Sequence, residues 1–420
     1  MNNFFFEIIL KFKKIFIFFL SIGLFPLFFK RFIQSLIVIS KNLDKIIYCQ
    51  FEGGFGHTLT TPLYLMSRYN ENWLLLFAYN KKRHNIFINK MFPGNIFFVE
   101  TAILGFNLDL FSRKLFFKSV IFFSKLFYKK IIYNYIEKIY IDHYFNHNKL
   151  TNEYYKRYES RIWPEIIKNR YKFNFSHLDI DKKNFLNFFY VKNLKKRVCF
   201  FLRYKGKRES FSRETLMKFP KLDIGNILRD SRPIEDYKFI IQNLVEKGFQ
   251  VFITGDDFDK PDWIKKFGNE VIYYDKFKKL NKNFYNFFCG FSSDIIIGQV
   301  SGGSLYSLLN KKNLILETYE VGSGINQSIV SYPYLKIKNL VEFKKIIFDE
   351  HFKWNPDLLL NSSKISQLSC EQLNSIYLDY INNYFNEEYG IEPKKVGIDK
   401  GWLIDSNSKF SPKWLEIIGI

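Results

Sequence analysis

The segment Gly53-Gly54-Phe55-Gly56-His57 sets three glycines and an imidazole directly after an apolar run, Lys45 to Phe51. Glycine lets backbone approach a ligand closely, and N–H groups at a helix start attract anions. Imidazole titrates near neutrality, so His57 can take a proton from a hydroxyl nucleophile. A hydrogen bond to substrate and a structural place in the loop are competing roles, and Glu52 is a rival base beside it. No G-x-S-x-G elbow exists for His57 to serve as part of a serine triad.

Other candidates follow the same rule of position. Ser301-Gly302-Gly303-Ser304 precedes a short helical pattern and offers hydroxyls and unshielded N–H groups to a diphosphate. It matches neither G-x-G-x-x-G nor the Walker pattern, and a tight left-handed turn is the plain alternative. Arg203 ends the apolar run Arg197 to Leu202, where a guanidinium can hold two phosphate oxygens or form a structural ion pair. Gly255 and Asp256 close the run from Gln250. Asp257 and Asp259 have a D-x-D spacing that could hold Mg²⁺ or Mn²⁺, but acids are common at strand-end turns and no metal is expected. His143 and His147 lie one helical turn apart without an H-E-x-x-H glutamate, and read as polar surface.

All of the glycine and arginine sites follow strands, so the strands must position them. Lys45–Phe51, Trp73–Tyr79 and Asn95–Glu100 alternate with helical patterns at Thr61–Tyr69 and Lys81–Met91, with Pro62 suited to the first turn of the former. A second series follows: strands 197–203, 250–257, 271–274, 294–300 and 313–316, a helix 234–246 closed at Gly248, and a helical turn or two at 283–290. Beyond residue 360 the pattern is mostly helical. Such alternation predicts an α/β protein with parallel sheets, whose ligands bind beyond the carboxyl ends of strands. A length of 420 residues exceeds one ordinary core. The expected division is 1–40 apolar segment, 41–190 first domain, 191–385 second domain and 386–420 tail, with 150–195 as the connection.

The net charge of +22 calls for an anionic partner, although lysine-rich composition accounts for part of it. Residues 1–150 carry 20 Lys+Arg against 8 Asp+Glu, or +12. No zinc spacing or aromatic–basic signature supports nucleic acid. The content of 50 Phe and 27 Tyr reads as a compositional bias, which weakens the meaning of any single one. Cys49, Cys199, Cys289 and Cys370 lack C-x-x-C spacing, and three lie in apolar runs, as expected of a reducing compartment.

Ile15 to Phe29 is uncharged, bracketed by Lys13-Lys14 and Lys30-Arg31, and interrupted by Pro26. That favours an interfacial helix on an anionic membrane over a span, a signal-anchor or a helix packed on the first domain. Residues 111–140 predict a long helix with Lys114, Lys118, Lys125 and Lys129 on one stripe. It suits either lipid headgroups or solvent.

The motifs together resemble GT-B glycosyltransferases, and more closely a bacterial family of surface-polysaccharide glycosyltransferases. The matching residues are Gly56-His57 followed by Leu63-Tyr64-Leu65, Val198 to Arg203, Gly248 to Asp256 and Ile297 to Gly302. Arg229 to Tyr237 matches in part, with Asp230 and Arg232-Pro233 departing from the pattern. The resemblance spans about residues 45–385. It implies two Rossmann-like domains facing a cleft and transfer of a sugar from a nucleotide-sugar donor to a hydroxyl of a glycan or lipid-linked acceptor. In that scheme His57 is the base. Gly53, Gly54, Gly56, Arg203, Arg229, Tyr237, Gly255, Asp256, Ser301, Gly302, Gly303 and Ser304 contact substrate. The nucleotide sugar is a co-substrate, no separate cofactor or metal is implied, and the enzyme works at the cytoplasmic face of the inner membrane. The rival readings are a non-catalytic nucleotide-sugar or glycan-binding protein and a basic lipid- or nucleic-acid-binding protein.

Overall fold

Continuous apolar runs become buried parallel strands in a computed structural model of the chain. It describes residues 25–50, 55–79, 85–100, 102–103, 106–107, 110–134, 165–189, 196–202, 232–255, 260–275, 280–299, 306, 309, 311–316, 328–331, 368–398, 404 and 407–420. The chain falls into two units, Met1–His147 and Asn148–Ile420.

The first unit contains α1 (Phe25–Ser40), β1 (Ile46–Gln50), α2 (Phe55–Tyr69), β2 (Trp73–Tyr79) and β3 (Ile96–Glu100). A small antiparallel ribbon, β4 (Ala102–Ile103) and β5 (Phe106–Asn107), leads to α3 (Leu110–Tyr128) and β6 (Ile132–Asn134). The sheet runs β3-β2-β1-β6, all parallel. Every residue of β2 is buried, as its uninterrupted Trp-Leu-Leu-Leu-Phe-Ala-Tyr sequence requires. The buried Asn95 amide donates to the carbonyls of Glu71 (2.9 Å) and Trp73 (2.5 Å), fixing the start of β3 against that of β2.

Helix α1 belongs to this unit. Leu36 and Ile39 are buried in the same core as Ile47, Leu76 and Val120, and each contributes about 2 kcal/mol by leaving water. Phe32 meets Phe123 of α3 edge-on, and Arg31 pairs with Glu100 of β3 at 2.7 Å. Residues 25–40 are thus packed on the first sheet; residues 1–24 lie outside the described residues. Among the described residues no helix is long and apolar enough to cross a membrane. Helix α3 ends before the expected 140, because Lys129 adopts a left-handed φ of 51° and the chain turns into β6. Of the helix expected over 81–91, residues 81–84 lie outside the described residues, and the remainder holds a 3-10 segment, Ile86–Met91, whose start is capped by Asn85 accepting from Phe87 N–H.

The second unit begins, in its described part, with a short helical stretch at 165–172 and α4 (Asp179–Phe188). It continues with β7 (Arg197–Leu202), α5 (Lys238–Glu246), β8 (Gln250–Gly255), β9 (Val271–Tyr273), α6 (Lys282–Ser292), β10 (Ile295–Gly298), β11 (Lys312–Ile315) and β12 (Ser328–Val330). Helix α7 (Cys370–Asn383), β13 (Lys409–Phe410) and α8 (Pro412–Ile418) close the chain. The seven strands are parallel in the order β13-β12-β11-β10-β7-β8-β9. In order of appearance that is 7-6-5-4-1-2-3, the winding of a Rossmann sheet with one added strand.

Two boundaries differ from the sequence expectation. Helix α4 is part of the second core and no connection: Phe185 stacks on Phe288 at 5.5 Å and meets Phe252 of β8 at 5.9 Å. The tail is sheet as well as helix, since Lys409 and Phe410 pair with Ile329 and Val330 of β12. Cys49, Cys199 and Cys289 are buried and outside any disulfide, while Cys370 is exposed.

Candidate functional site

In a doubly wound sheet, ligands bind where the chain, having built strands to one side, returns to build on the other. In the second unit that point lies between β7 and β10. Leu202 of β7 is level with Gly255 of β8, and Phe201 is level with Gly298 of β10. Adjacent strands are about 4.8 Å apart, so the three strand ends lie within roughly 10 Å of one another. Arg203, Asp256 and Ser301 come one, one and three residues after those ends.

Two glycines on this edge are needed for backbone reasons. Gly255 has φ +108° and Gly298 φ +151°, and a Cβ on either would collide with a β7 carbonyl, of Leu202 and Phe201 respectively. Only a residue without a side chain lets β8 and β10 leave the sheet this close to β7. Next to Gly255, Thr254 donates from Oγ1 to the Asn286 side-chain oxygen at 2.5 Å, tying the strand end to α6.

Gln299 was not singled out by sequence reasoning. It is 2% exposed, directly follows β10, and its Oε1 is buried without a hydrogen-bond partner. The signal was a lone amide ending an apolar strand. Gln50, also 2% exposed, repeats it at the end of β1.

Among the expected contacts, Gly255 lies at the switch-point edge. Tyr237 does not stand on an open wall: its ring packs edge-on against Phe200 at 5.1 Å, 3% exposed, and its hydroxyl accepts the Arg232 N–H at 3.2 Å. Arg203, Arg229, Asp256, Ser301, Gly302, Gly303 and Ser304 lie outside the described residues, as do Asp257, Asp259, His143 and His147.

In the first unit the corresponding point lies between β1 and β6. Gly53 and Gly54 fall outside the described residues, but α2 starts at Phe55, earlier than the expected Thr60 or Thr61. Gly56 and His57 therefore belong to the first helical turn, and Pro62 lies inside the helix, where it removes one backbone donor. A glycine turn shortens to a strand, four residues and a helix start.

Comparison with protein-family models and with curated proteins finds no match. Among solved structures, a wall teichoic acid polymerase, TagF, is similar over 86% of this chain and 98% of its own, at 11% identity and a TM-score of 0.27. The S. aureus MnaA–UDP co-structure is similar over 87% and 82%, at 13% identity and a TM-score of 0.24. Likenesses of this strength leave the function to the residues themselves.

Proposed function

We propose that the protein is a glycosyltransferase that moves a sugar from a nucleotide-sugar donor to a hydroxyl of a glycan or lipid-linked acceptor in cell-surface polysaccharide synthesis. The observation that carries this reading is the register of β8, β7 and β10, which sets Gly255 level with Leu202 and Gly298 level with Phe201 at the switch point of a Rossmann-wound sheet. Dinucleotides and mononucleotides bind at such points.

In the proposed reaction His57 accepts the proton of the acceptor hydroxyl as its oxygen bonds to the anomeric carbon. The bond from that carbon to the diphosphate breaks, and its electron pair leaves with the nucleoside diphosphate. His57 lies in the first turn of α2. Arg203 and Ser301–Ser304 neutralise the departing diphosphate, with Gly302 and Gly303 admitting it to backbone N–H groups. Asp256, beside Gly255, is assigned to the ribose or sugar, and the Gln299 amide to a hydroxyl of the same ligand.

The membrane partner is part of the proposal. On α3, Phe122, Leu126 and Phe127 are 62%, 60% and 64% exposed, and Lys118 and Lys125 are exposed on the same helix. Helix α1, packed beside α3, leaves Phe29 and Ile37 about half exposed. Apolar side chains interleaved with lysine are complementary to an anionic bilayer surface, as at the cytoplasmic face of the inner membrane.

The test is transfer from a panel of radiolabelled nucleotide sugars to detergent-solubilised lipid acceptors. His57→Ala should lower kcat by about 10²–10⁴-fold while nucleoside diphosphate affinity stays within about twofold. Equal activity in the variant removes the base assignment. Tight nucleotide-sugar binding by the wild type with neither transfer nor donor hydrolysis would turn the reading to a non-catalytic binding protein.

A further inference from the structure

The second unit holds a cleft of about 550 Å³ at the opposite edge of its sheet. Its floor includes Lys312 and Asn313, which begin β11, Ile329 of β12 and Lys409, which begins β13. These are amino ends of parallel strands, whereas the candidate nucleotide site lies at carboxyl ends. The volume is within the range of small-molecule sites.

Three polar atoms of lining residues are buried without a hydrogen-bond partner: Arg170 Nη1, Asn313 Oδ1 and the Tyr380 hydroxyl. Asn313 and Tyr380 are 1% and 2% exposed. Buried polar groups are normally satisfied, so three around one cleft call for a common partner. The Asn313 amide nitrogen already donates to Ser328 Oγ at 3.1 Å, which leaves its oxygen as an acceptor. Water could satisfy such atoms, but it would leave the guanidinium without a counter-ion.

Charge sharpens the chemistry. Arg170, Lys312 and Lys409 line the cleft against one carboxylate, Glu387. Lys312 donates to the Tyr384 carbonyl, and burial lowers its pKa from the usual lysine value. Lys409 donates to the carbonyls of Glu387 at 3.2 Å and Glu388 at 3.3 Å. Both ammonium groups donate to backbone carbonyls, and the Glu387 carboxylate partly offsets the lowering at Lys312. At the rim Tyr171 is 77% exposed, with the Lys172 ammonium 5.9 Å from its ring centroid, so a ligand would stack on the face that Lys172 leaves open.

We propose that this cleft is a second, non-catalytic binding site for an anionic saccharide, a sugar carrying a phosphate or carboxylate. The anion meets the Arg170 guanidinium, ligand hydroxyls donate to Asn313 Oδ1 and exchange hydrogen bonds with the Tyr380 hydroxyl, and a ring face packs on Tyr171. Inorganic phosphate alone supplies the charge but not the set of hydroxyl donors. The preference for a saccharide over another hydroxylated anion rests on the glycosyl-transfer reading; the site and its charge do not.

The test is isothermal titration of the full chain with glucose 1-phosphate, glucuronate, glucose and inorganic phosphate, with UDP titrated separately. One of the two anionic sugars should bind at least about tenfold more tightly than glucose or phosphate. Arg170→Gln and Tyr171→Ala should each weaken it by about tenfold while leaving UDP affinity unchanged. Tyr171→Ala alters an exposed side chain and keeps the test valid if Arg170→Gln folds poorly. Failure of both anionic sugars to bind at millimolar concentration, or binding that survives both substitutions, overturns the site. Phosphate binding as tightly as the sugars overturns the saccharide assignment. Loss of UDP binding alone counts against the glycosyl-transfer reading and not against this cleft.

Discussion

The two sheets start alike and then part. The first runs β3-β2-β1-β6, and the second contains β9-β8-β7-β10, the same winding of three strands to one side and a return to the other. Among the described residues the first sheet has no further strand, and α3 beside it exposes Phe122, Leu126 and Phe127. The second adds β11, β12 and β13 and carries the polar cleft at the amino ends of those added strands. Shared winding prepares a ligand edge in each unit. What is attached to it decides which further partner each unit can meet: an apolar, lysine-bearing surface in one, a basic cleft lined by tyrosines in the other.

The strongest way to break the comparison is to block the switch point itself. Gly255→Ala must place a Cβ against the Leu202 carbonyl at a φ that L-residues rarely adopt. We expect a loss of about 3 kcal/mol in chemical denaturation. Gly248→Ala is the matched control, with φ +81° but open space around it, and should lose only about 1 kcal/mol. Equal losses at the two positions would mean that close strand exit is not what selects Gly255.

A second substitution probes the exposed face of the first unit. Leu126→Asp with Phe127→Asp removes apolar surface that is already exposed, so stability should change by less than about 0.5 kcal/mol. Flotation with anionic vesicles should fall at least about tenfold, reflecting both lost apolar contact and added negative charge. Unchanged flotation would return α3 to the status of a solvated helix.

A further test concerns the second core. Lys311 donates to the Gly290 carbonyl and lies 5.6 Å from the Phe291 ring centroid. Desolvation lowers its pKa to about 7, with further repulsion from Lys182 and Arg197 and partial compensation by Cys199 and Asp294. The unfolded chain holds the proton up to about pH 10.4. Between those values the unfolded state binds more protons, so this lysine makes stability rise with pH. Lys311→Met should therefore raise the thermal midpoint at pH 7, and its advantage should shrink towards pH 10. An advantage independent of pH would assign the gain to packing alone.

Much of the parallel sheet structure was legible in the chain. Strands buried on both faces must be apolar throughout, so Trp73–Tyr79, Arg197–Leu202 and Gln250–Gly255 announce themselves within a few residues. Gly248 likewise closes α5 by a local rule, with φ +81° and its N–H on the Val245 carbonyl. Strands β12 and β13 carried no such signal, being three and two residues long and defined by their neighbours. Their partners lie far along the chain: Lys409 is level with Ile329, and Ser328 with Asn313.

The same reason divides the sites. Glycines, His57 and Arg203 drew notice because their chemistry sits in one short stretch after a strand. Tyr237 looked equally suitable, but only packing shows its ring covered by the core. Arg170, Asn313 and Tyr380 are ordinary residues in sequence, separated by more than sixty positions from each other, and nothing local marks them. Local patterns determine where strands end and which residues follow. Which distant side chains share a cavity is decided by register and winding, because that proximity is a property of the sheet and not of any segment.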